Sequence, residues 1–312
     1  MSHITAPDGT AMSALCYGTM QFGGKADARA SREMYDASRA AGINFFDTAF
    51  VYTEGASETI LGGFIKDERD RLIIATKAGH DGGSGRANLE TSFATSQRRL
   101  EMDMVDILYL HRWDGETPLE ETFEVLAGFQ DAGKIRHIGV SNFAAWQVMK
   151  AQRVAASFGT RIDIIQPMYS LVKRQAEVEL LPMAASEGIA VAPYSPLGGG
   201  LLTGKYAKGE TGRLSTNEMY KTRYGQDWMH GTAAALTELA MGLGKDAATL
   251  AVAWAARNEA VTAPIISATS TNQLTASLAA AHFRLSDEDY SRITALSRAP
   301  APATDRLEEA AA

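Results

Sequence analysis

The chain has 312 residues, of which 46% are hydrophobic and 21% are charged, and its formal net charge is −7 at pH 7. This much apolar material is enough for a large core and excludes an intrinsically disordered chain. The 30 lysines and arginines are scattered along the sequence, without the basic stripe that nucleic-acid binding needs. We therefore expect a globular protein with no nucleic-acid partner.

No stretch approaches the ~18 consecutive apolar residues of a membrane span, and Met1 to Ser13 lacks a basic region followed by an apolar run. These observations predict a cytoplasmic protein with no membrane partner. Cys16 is the only cysteine, which excludes an internal disulfide and a cysteine-based metal cluster. We expect Cys16 to pack as a small buried apolar residue.

Short apolar runs rich in β-forming residues alternate with longer segments of helical period, a rhythm typical of repeated βα units. Eight runs are predicted strands: Leu15–Tyr17, Ile43–Asp47, Leu72–Thr76, Val105–Leu110, Ile135–Val140, Ile162–Gln166, Ala190–Tyr194 and Ala263–Ile266. The segments between and after them are predicted helices: Arg29–Ala41, Glu58–Lys66, Leu89–Glu101, Leu119–Ala132, Ala144–Ser157, Glu177–Ser186, Ala233–Leu243, Ala248–Arg257 and Asn272–Ala280. Eight parallel strands with intervening helices indicate a closed (β/α)8 TIM barrel, an α/β fold, rather than an open sheet.

The pattern shows no domain boundary, so we expect a single domain over residues 1–312, with a frayed tail over residues 300–312. Ser286–Leu296 is predicted to be an additional helix, capped by Ser286 and acidic in its first turn. Ala207–Gly231 is the one long segment predicted to be irregular. A loop of that length in a compact domain is usually functional.

Polar residues follow three neighbouring strands, at the barrel end where reactive groups are normally placed. Asp47 ends the second strand with Tyr52 just beyond it, Lys77 follows the third, and His111 follows the fourth. A tyrosine beside a lysine and an aspartate is a candidate general acid and base, because a nearby ammonium lowers a phenol pKa that is ordinarily about 10. A histidine at the same place can bind or polarise a carbonyl oxygen.

Each of these residues also has a structural interpretation when it is taken alone. Asp47 can be a helix cap and Lys77 a solvated charge at the rim. His111 can be a hydrogen-bonded structural histidine, and Tyr52 a loop aromatic. Their joint presence at strand ends favours the catalytic interpretation.

The segments Phe45-Phe46-Asp47-Thr48-Ala49 with Tyr52, Thr76-Lys77 and Leu110-His111 resemble the catalytic tetrad signatures of the aldo-keto reductases. Three further segments are similar to family motifs: Ile138–Phe143 at strand five, Gln166 at the end of strand six, and Ala192–Tyr206 after strand seven. The resemblance extends from Leu15 to Leu296. Its motifs match the family in order and spacing.

The resemblance implies transfer of a hydride between NADP(H) or NAD(H) and a carbonyl or alcohol, the substrate being an aldehyde, a ketone or a sugar. Tyr52 would then deliver the proton, with Lys77 and Asp47 tuning it and His111 placing the substrate oxygen. The alternative is a cofactor-binding regulatory subunit, since some relatives serve ion channels in that way. A barrel closes its own sheet edges, so a monomer is expected.

The resemblance also implies the residues that bind the cofactor. Ser141, Asn142 and Gln166 would hold the nicotinamide carboxamide, Tyr194 would stack on the ring, and the backbone after it would cradle the pyrophosphate. The full set of expected cofactor contacts is Gly18, Thr19, Met20, Ser141, Asn142, Gln166, Tyr194, Ser195, Pro196, Leu197, Gly199, Leu201, Lys205, Ala268, Thr269, Gln273 and Ser277.

The segment after strand eight departs from the family pattern. Thr269 and Gln273 stand where basic residues that bind the 2′-phosphate of NADP are frequent, and Ala276 and Ser277 replace the usual Glu and Asn. A phosphate without a cationic partner loses charge-assisted hydrogen bonds. We therefore predict weakened or dual cofactor specificity. The cations available to compensate are those of the long segment: Arg213, Lys221 and Arg223.

Three other patterns in the sequence bear on function. Gly199–Lys205 has the glycine and lysine spacing of a P-loop, but Tyr206 stands where the Mg²⁺-binding Ser or Thr belongs. His80, Asp81 and Glu90 lack the spacing of a metal site, so we expect no metal. Six aromatic residues are candidates for the wall of an apolar substrate pocket: Trp113, Phe22, Phe50, Tyr220, Tyr224 and Trp228.

Overall fold

The computed structural model describes residues 3–306 and 308, without the side chain of residue 208. Eight parallel strands lie in the order β7-β6-β5-β4-β3-β2-β1-β8. Their bounds are β1 Cys16–Gly18, β2 Phe45–Asp47, β3 Ile73–Ala78, β4 Val105–Leu110, β5 Ile135–Ser141, β6 Ile162–Gln166, β7 Ala190–Val191 and β8 Ile265–Ile266. From β1 to β7 each strand pairs with the next strand in sequence, and β1 pairs with β8.

The sheet closes between the segments of β7 and β8, which stand at its two ends. Tyr194 bridges Ile265 in parallel, and the amide of Ile265 donates to the carbonyl of Pro193 at 2.8 Å. The predicted (β/α)8 barrel is therefore confirmed. Strands β7 and β8 are shorter than predicted because each segment contains a proline, Pro193 or Pro264, which has no N–H to give to the ladder.

The α-helices pack outside the strands. They are α1 Ala28–Ala40, α2 Ala56–Ile65, α3 Arg86–Leu100, α4 Leu119–Asp131, α5 Ala145–Ser157, α6 Leu180–Glu187, α7 Arg213–Thr216, α8 Glu218–Tyr224, α9 Asp227–Gly242, α10 Ala247–Arg257, α11 Thr271–Ala279 and α12 Asp287–Ala295. None of the described helices has the length and apolar composition needed to cross a membrane.

Alternate residues of each strand face two separate cores. Phe45 and Ile73 pack inside the barrel together with Cys16, whereas Phe46 and Ile74 pack outward against the helices. This is the period of two that a pleated strand imposes. Cys16 is fully buried, as expected, and burial raises the pKa of its thiol well above the ordinary value.

The interpretation of Ala207–Gly231 as irregular was wrong. The segment contains α7 and α8 and the first turn of α9, which begins at Asp227 rather than Ala233. Local caps form the two short helices: the Gly212 amide donates to the Ser215 hydroxyl at 2.9 Å, and the Tyr220 amide donates to the Asn217 side chain at 3.2 Å. Helices this short have no apolar period to detect.

The two C-terminal helices begin at serine caps. The Asp289 amide donates to the Ser286 hydroxyl at the start of α12, as predicted, and the Gln273 amide donates to the Ser270 hydroxyl at the start of α11. Residues 297–306 contain no helix or strand. Positions 307 and 309–312 of the tail that was predicted to be frayed lie outside the described residues.

Candidate active site

A buried lysine organises the carboxyl end of β2 and β3. Lys77 is 1% exposed, and its ammonium donates to the Asp47 carboxylate, to the Thr48 carbonyl at 2.7 Å and to the Tyr52 hydroxyl at 3.2 Å. An ammonium has three donors, so all of them are used. This arrangement fixes the Tyr52 hydroxyl at the end of a buried ion pair.

The second oxygen of Asp47 accepts a hydrogen bond from the Gln166 amide at 2.9 Å, which links β2 to β6 across the barrel. Burial raises the pKa of the Asp47 carboxyl, against the lowering effect of Lys77. Burial disfavours the charged form of Lys77 as well, but the neighbouring Asp47 and Tyr52 outweigh it and raise the pKa of the ammonium. Lys77 is therefore held as a cation.

The pKa of Tyr52 is raised by burial, with Lys77 lowering it and Asp47 raising it further. The ammonium lowers this pKa, as expected, but desolvation of the phenolate has the larger effect, so the net shift is upward. The Tyr52 phenol is consequently protonated near neutral pH. That is the form required of a proton donor.

The loop that carries Tyr52 is held from behind by an ion pair between the buried Glu58 and the partly exposed Arg99. Arg99 donates to the Phe50 carbonyl at 2.9 Å and to the Glu58 carboxylate at 3.1 Å, and Glu58 also accepts from the Thr76 hydroxyl at 2.6 Å. A Cβ on Gly55, which has φ of 96°, would collide with the Arg99 guanidinium. Sequence reasoning missed both Arg99 and Glu58. The available signal was a carboxylate six residues after Tyr52, just before the apolar residues Ile60 and Leu61.

His111 faces the same cavity as Tyr52, and the two rings meet edge to face at 5.9 Å between centroids. Burial lowers the pKa of His111 to about 2, helped by the charges of Lys77 and His80. Its Nδ1 is buried and has no hydrogen-bond partner among the described residues. His111 is therefore a neutral imidazole with one N–H at ordinary pH.

A cavity of about 760 Å³ opens above these residues, a size typical of sites for small ligands. Asp47, Tyr52 and His111 line it, and Lys77 lies beneath them. Fourteen of the expected cofactor contacts also line it: Gly18, Met20, Ser141, Asn142, Gln166, Tyr194, Ser195, Pro196, Leu197, Gly199, Lys205, Ala268, Thr269 and Gln273.

Three expected cofactor contacts do not line the cavity. The Thr19 hydroxyl bonds to the Asp47 carbonyl and to Ser57 beneath the site. Leu201 packs in the outer core, and Ser277 is 1% exposed on α11. Residues next to these three in sequence line the cavity instead: Gly18 and Met20, Gly200, and Ala276.

An asparagine in left-handed backbone conformation connects the ends of β4, β5 and β7. Asn142 has φ of 59°, donates to the His111 carbonyl at 2.9 Å, and accepts from the Tyr194 hydroxyl at 2.7 Å. Asparagine tolerates this conformation better than most residues. The contacts place an amide, a hydroxyl and an aromatic ring around one end of the cavity.

A glycine-rich turn forms part of the cavity wall. Gly199 and Gly200 have φ of 66° and 96°, and a Cβ on Gly199 would lie 2.8 Å from the Tyr220 ring. Residues Gly198–Thr203 form a 3₁₀ turn rather than the long α-helix that follows a P-loop. Lys205 lines the cavity beyond the turn. Close backbone approach beside a cation suits a phosphate group.

The residues present fit a nicotinamide dinucleotide. The amide groups of Asn142 and Gln166, the glycine turn with Lys205, and Ser267, Thr269 and Gln273 after β8 all line the same cavity. The Ser267 hydroxyl is buried and has no partner among the described residues, so it is a donor and acceptor available to a ligand.

The other predicted pocket residues divide into two groups. Of the six aromatics, Tyr220 lines the cavity, while Trp113 packs at 5.2 Å on Phe143, and Phe22, Phe50, Tyr224 and Trp228 lie elsewhere. Of the three cations, Arg213 and Arg223 line it, whereas Lys221 lies 3.8 Å from Glu218 on the exposed side of α8. Sequence reasoning missed Lys25 and Met219, which also line the cavity.

His80, Asp81 and Glu90 do not form a group with metal-ligand geometry. His80 contacts Asp81 at 2.8 Å, and Glu90 lies 3.5 Å from Arg86. Within the described residues, the one group with metal-ligand geometry is His3, His137 and Asp163 at the opposite end of the barrel. Asp163 there also accepts from the Ile138 amide and lies 3.6 Å from Arg161, which accounts for its oxygens without an ion.

Comparisons with known proteins agree with this geometry. The model of the Aldo/keto reductase family matches residues 14–298. The chain is 35% identical to a probable voltage-gated potassium channel subunit beta of Oryza sativa subsp. japonica, over 85% of this chain and 86% of that protein. It is 32% identical to Protein tas of Escherichia coli, over 93% and 96% of the two chains. It is 38% identical to human aflatoxin B1 aldehyde reductase member 2, over 72% and 66%.

A family match of this length covers every strand of the barrel and the four residues Asp47, Tyr52, Lys77 and His111. The matched segment begins before β1 and ends after α12. The chain belongs to the aldo/keto reductase family.

Proposed function

We propose that this protein is an NAD(P)(H)-dependent oxidoreductase that interconverts a carbonyl compound and its alcohol, with Tyr52 as general acid and base. The observation that carries the proposal is the 3.2 Å contact between the buried Lys77 ammonium and the Tyr52 hydroxyl, beside His111 on the floor of the cavity. The substrate is an aldehyde, a ketone or a sugar.

The residues divide the work by their contacts. When bound, the nicotinamide supplies or accepts the hydride. Tyr52 donates its proton to the carbonyl oxygen, and Lys77 stabilises the phenolate that remains. Neutral His111 donates its one N–H to the same oxygen and places it next to Tyr52. Asp47 keeps Lys77 charged and directed at the phenol.

Different parts of the cavity wall hold the parts of the cofactor. Ser141, Asn142 and Gln166 hold the carboxamide, and Tyr194 provides the face on which the nicotinamide stacks. The backbone from Leu197 to Gly200, together with Lys205, holds the pyrophosphate. The support for this assignment is that these side chains and glycines line one continuous cavity with Tyr52.

Cofactor preference is proposed to be weak or dual. Thr269 and Gln273 line the cavity after β8 and bond to each other at 2.8 Å, so neutral groups occupy this end. Neutral partners give a phosphate dianion little advantage over a hydroxyl. The test compares kcat/KM with NADPH and NADH. A preference for NADPH of about a thousandfold, some 4 kcal/mol, contradicts the proposal.

The direct test of function is turnover of 4-nitrobenzaldehyde by wild-type protein and by Tyr52→Phe. We expect the substitution to lower kcat by ~10²–10⁴-fold, the usual contribution of a general acid. Fluorescence titration with NADPH is the control and should give nearly the same affinity for both proteins. Near-normal turnover by Tyr52→Phe contradicts the assignment of the proton donor.

The second candidate is a cofactor-binding regulatory subunit, which the relative described as a probable potassium channel subunit beta favours. It predicts tight NADPH binding with negligible turnover of generic carbonyls, and an assembly larger than one chain. The first proposal predicts multiple turnovers and, from the closed barrel, a monomer. Steady-state rates and the solution mass separate the two.

A further inference from the structure

Three side chains with metal-binding donor atoms meet at the amino end of the barrel. His3 comes from the segment before β1, His137 from β5 and Asp163 from β6. His3 Nε2 lies 3.2 Å from Asp163 Oδ1, and His137 Nδ1 lies 3.4 Å from Asp163 Oδ2. One donor atom from each residue lies within 4.8 Å of the other two. We call these three residues the amino-end triad.

The aspartate of the triad lies at an irregularity in the sheet. Ile138 of β5 pairs with Ile162 of β6, but Gly139 pairs with Ile164, so Asp163 is the extra residue of a bulge. The Ile138 amide donates to the Asp163 carboxylate at 3.2 Å. A bulge re-aims a side chain, and bulges are frequent next to functional sites.

The distances within the triad match the spacing of metal ligands. Zn²⁺ with bonds of ~2.0–2.1 Å separates neighbouring tetrahedral donor atoms by about 3.3 Å. The contacts of Asp163 with His3 and His137, at 3.2 Å and 3.4 Å, have this spacing. A charge-assisted hydrogen bond is usually shorter, about 2.7–2.9 Å. Asp106, the other buried carboxylate at this end, lies 2.7 Å and 3.0 Å from two arginines, as expected of ion pairs.

The donor atoms are also in suitable states. Burial raises the pKa of the Asp163 carboxyl, but the hydrogen bond and charge of His137 outweigh burial and lower it, so the carboxylate is ionised near neutral pH. The Nε2 atom of His137 has no partner among the described residues, so only Asp163 competes for this ring. The His3 side chain is 45% exposed, which leaves a path for an ion from solvent.

The segment before β1 is already held at this end of the barrel. Ile4 and Ala6 are fully buried in the inner core, and Arg136 donates to the Thr5 carbonyl at 2.6 Å. His3 therefore stands directly before a fixed position. An ion that joins His3 to the strands has little additional chain to order, so most of its binding free energy is retained.

One nearby charge opposes a cation. Arg161 Nε lies 3.6 Å from Asp163 Oδ1, and its guanidinium also donates to the Glu187 and Gly188 carbonyls at 3.1 Å. The side chain is 45% exposed, so water screens its charge. Arg161 accordingly weakens the attraction of a cation to Asp163 without blocking either histidine.

We propose that the amino-end triad binds a divalent transition metal ion, Zn²⁺ in view of its donor set, and that the ion fastens the segment before β1 to β5 and β6. Two imidazoles and a carboxylate are usual zinc ligands, and a water molecule completes the tetrahedron. In the metal-free chain, protons lie between the imidazoles and the Asp163 carboxylate. The ion replaces them and releases them to solvent.

The experiment titrates Zn²⁺, and Co²⁺ as a spectroscopic probe, into full-length protein that carries no histidine tag and has been stripped with EDTA. We expect one ion per chain at micromolar concentration, and the visible absorption of tetrahedral Co²⁺, which Zn²⁺ displaces. A hundredfold excess of Zn²⁺ over Kd should raise Tm by roughly 3–6 °C. Absence of saturable binding at millimolar Zn²⁺ overturns the inference.

Matched variants locate the ion. His3→Gln and His137→Gln should each weaken binding by about tenfold or more, whereas His230→Gln, at an exposed histidine of α9, should leave it unchanged. His3 is partly exposed, so its substitution tests the triad even where a change at His137 disturbs folding. Equal affinities in His3→Gln, His137→Gln and His230→Gln would place the ion elsewhere and overturn the inference.

Arg161→Gln tests the charge at the triad in the opposite direction. Removal of the opposing guanidinium should strengthen binding by about two- to fivefold, the size expected for a partly exposed charge. Weaker binding in Arg161→Gln contradicts an ion on Asp163. All of these readouts are independent of carbonyl reduction, so their outcome does not depend on the proposed function.

Discussion

At the amino end of the barrel, Asp106 and Asp163 are buried carboxylates whose oxygens are engaged by backbone and side chains around them. Asp106 accepts from the Ile74 amide at 2.8 Å and pairs with Arg69 and Arg136. At the carboxyl end, the equally buried pair of Asp47 and Lys77 bonds to Thr48 and Gln166 and also to Tyr52, which faces the cavity.

Both ends therefore use buried aspartates paired with cationic side chains, but for different purposes. At the amino end the carboxylates are held by backbone amides and by cationic side chains of neighbouring segments. At the carboxyl end the chain of contacts terminates on a hydroxyl that a ligand can reach. Substitutions at the two ends should accordingly separate effects on stability from effects on catalysis.

Lys77→Met should produce the largest effect. It removes the cation that stabilises the Tyr52 phenolate and should lower kcat by ~10²–10⁴-fold. It also leaves Asp47 buried without its partner, at a cost of about 3–5 kcal/mol in the free energy of unfolding. Denaturant unfolding and steady-state kinetics measure the two effects.

The double variant Lys77→Met with Asp47→Asn distinguishes the two losses. Removing both charges should restore most of the stability but none of the activity. Lys66→Met, an exposed lysine paired with Glu101, is the control and should change neither. Recovery of activity in the double variant would show that Lys77 acts only on stability.

Asp106→Asn should have the opposite profile. It leaves Arg69 and Arg136 near an uncharged partner, so we expect a loss of about 3–5 kcal/mol in the free energy of unfolding and an unchanged kcat at temperatures where the protein is folded. Asp36→Asn, an exposed residue paired with Arg32, should cost less than about 1 kcal/mol. A large fall in kcat for folded Asp106→Asn would break the distinction between the two ends.

Arg99→Gln should have a smaller effect on activity. Arg99 holds the Phe50 carbonyl, so its loss frees the loop that positions Tyr52, and we expect kcat to fall by about tenfold, since misplacing a reacting group is costly. The affinity for NADPH should not change. Arg98→Gln, next to it and exposed, is the control. Equal effects of the two substitutions would remove Arg99 from the positioning of Tyr52.

The smallest expected effect concerns pH. His111 has its pKa lowered to about 2 in the folded state, against about 6.5 when unfolded. Between these values the unfolded state binds the extra proton, so stability is lost as pH falls below about 6.5, by at most about 1.4 kcal/mol per pH unit. His111→Gln should flatten this part of the stability profile. A slope identical to that of the wild type would contradict a buried neutral His111.

The order of strands and helices and the positions of Asp47, Lys77 and His111 at strand ends could be read from the chain. These features depend on apolar period and on residue type over a few neighbouring positions. The short helices α7 and α8 could not be predicted, because their caps act over three or four residues without an apolar face.

The sequence by itself determined the barrel, the family and which residues to examine for chemistry, because alternation and motif order are local properties of the chain. The tertiary structure decided the rest. It alone showed that Arg99 reaches Phe50 from 49 positions away. It also showed that burial outweighs Lys77 at the Tyr52 phenol, and that Arg213 and Arg223 meet at one ring. These depend on distance and desolvation, which are fixed only when the strands and loops have closed around one another.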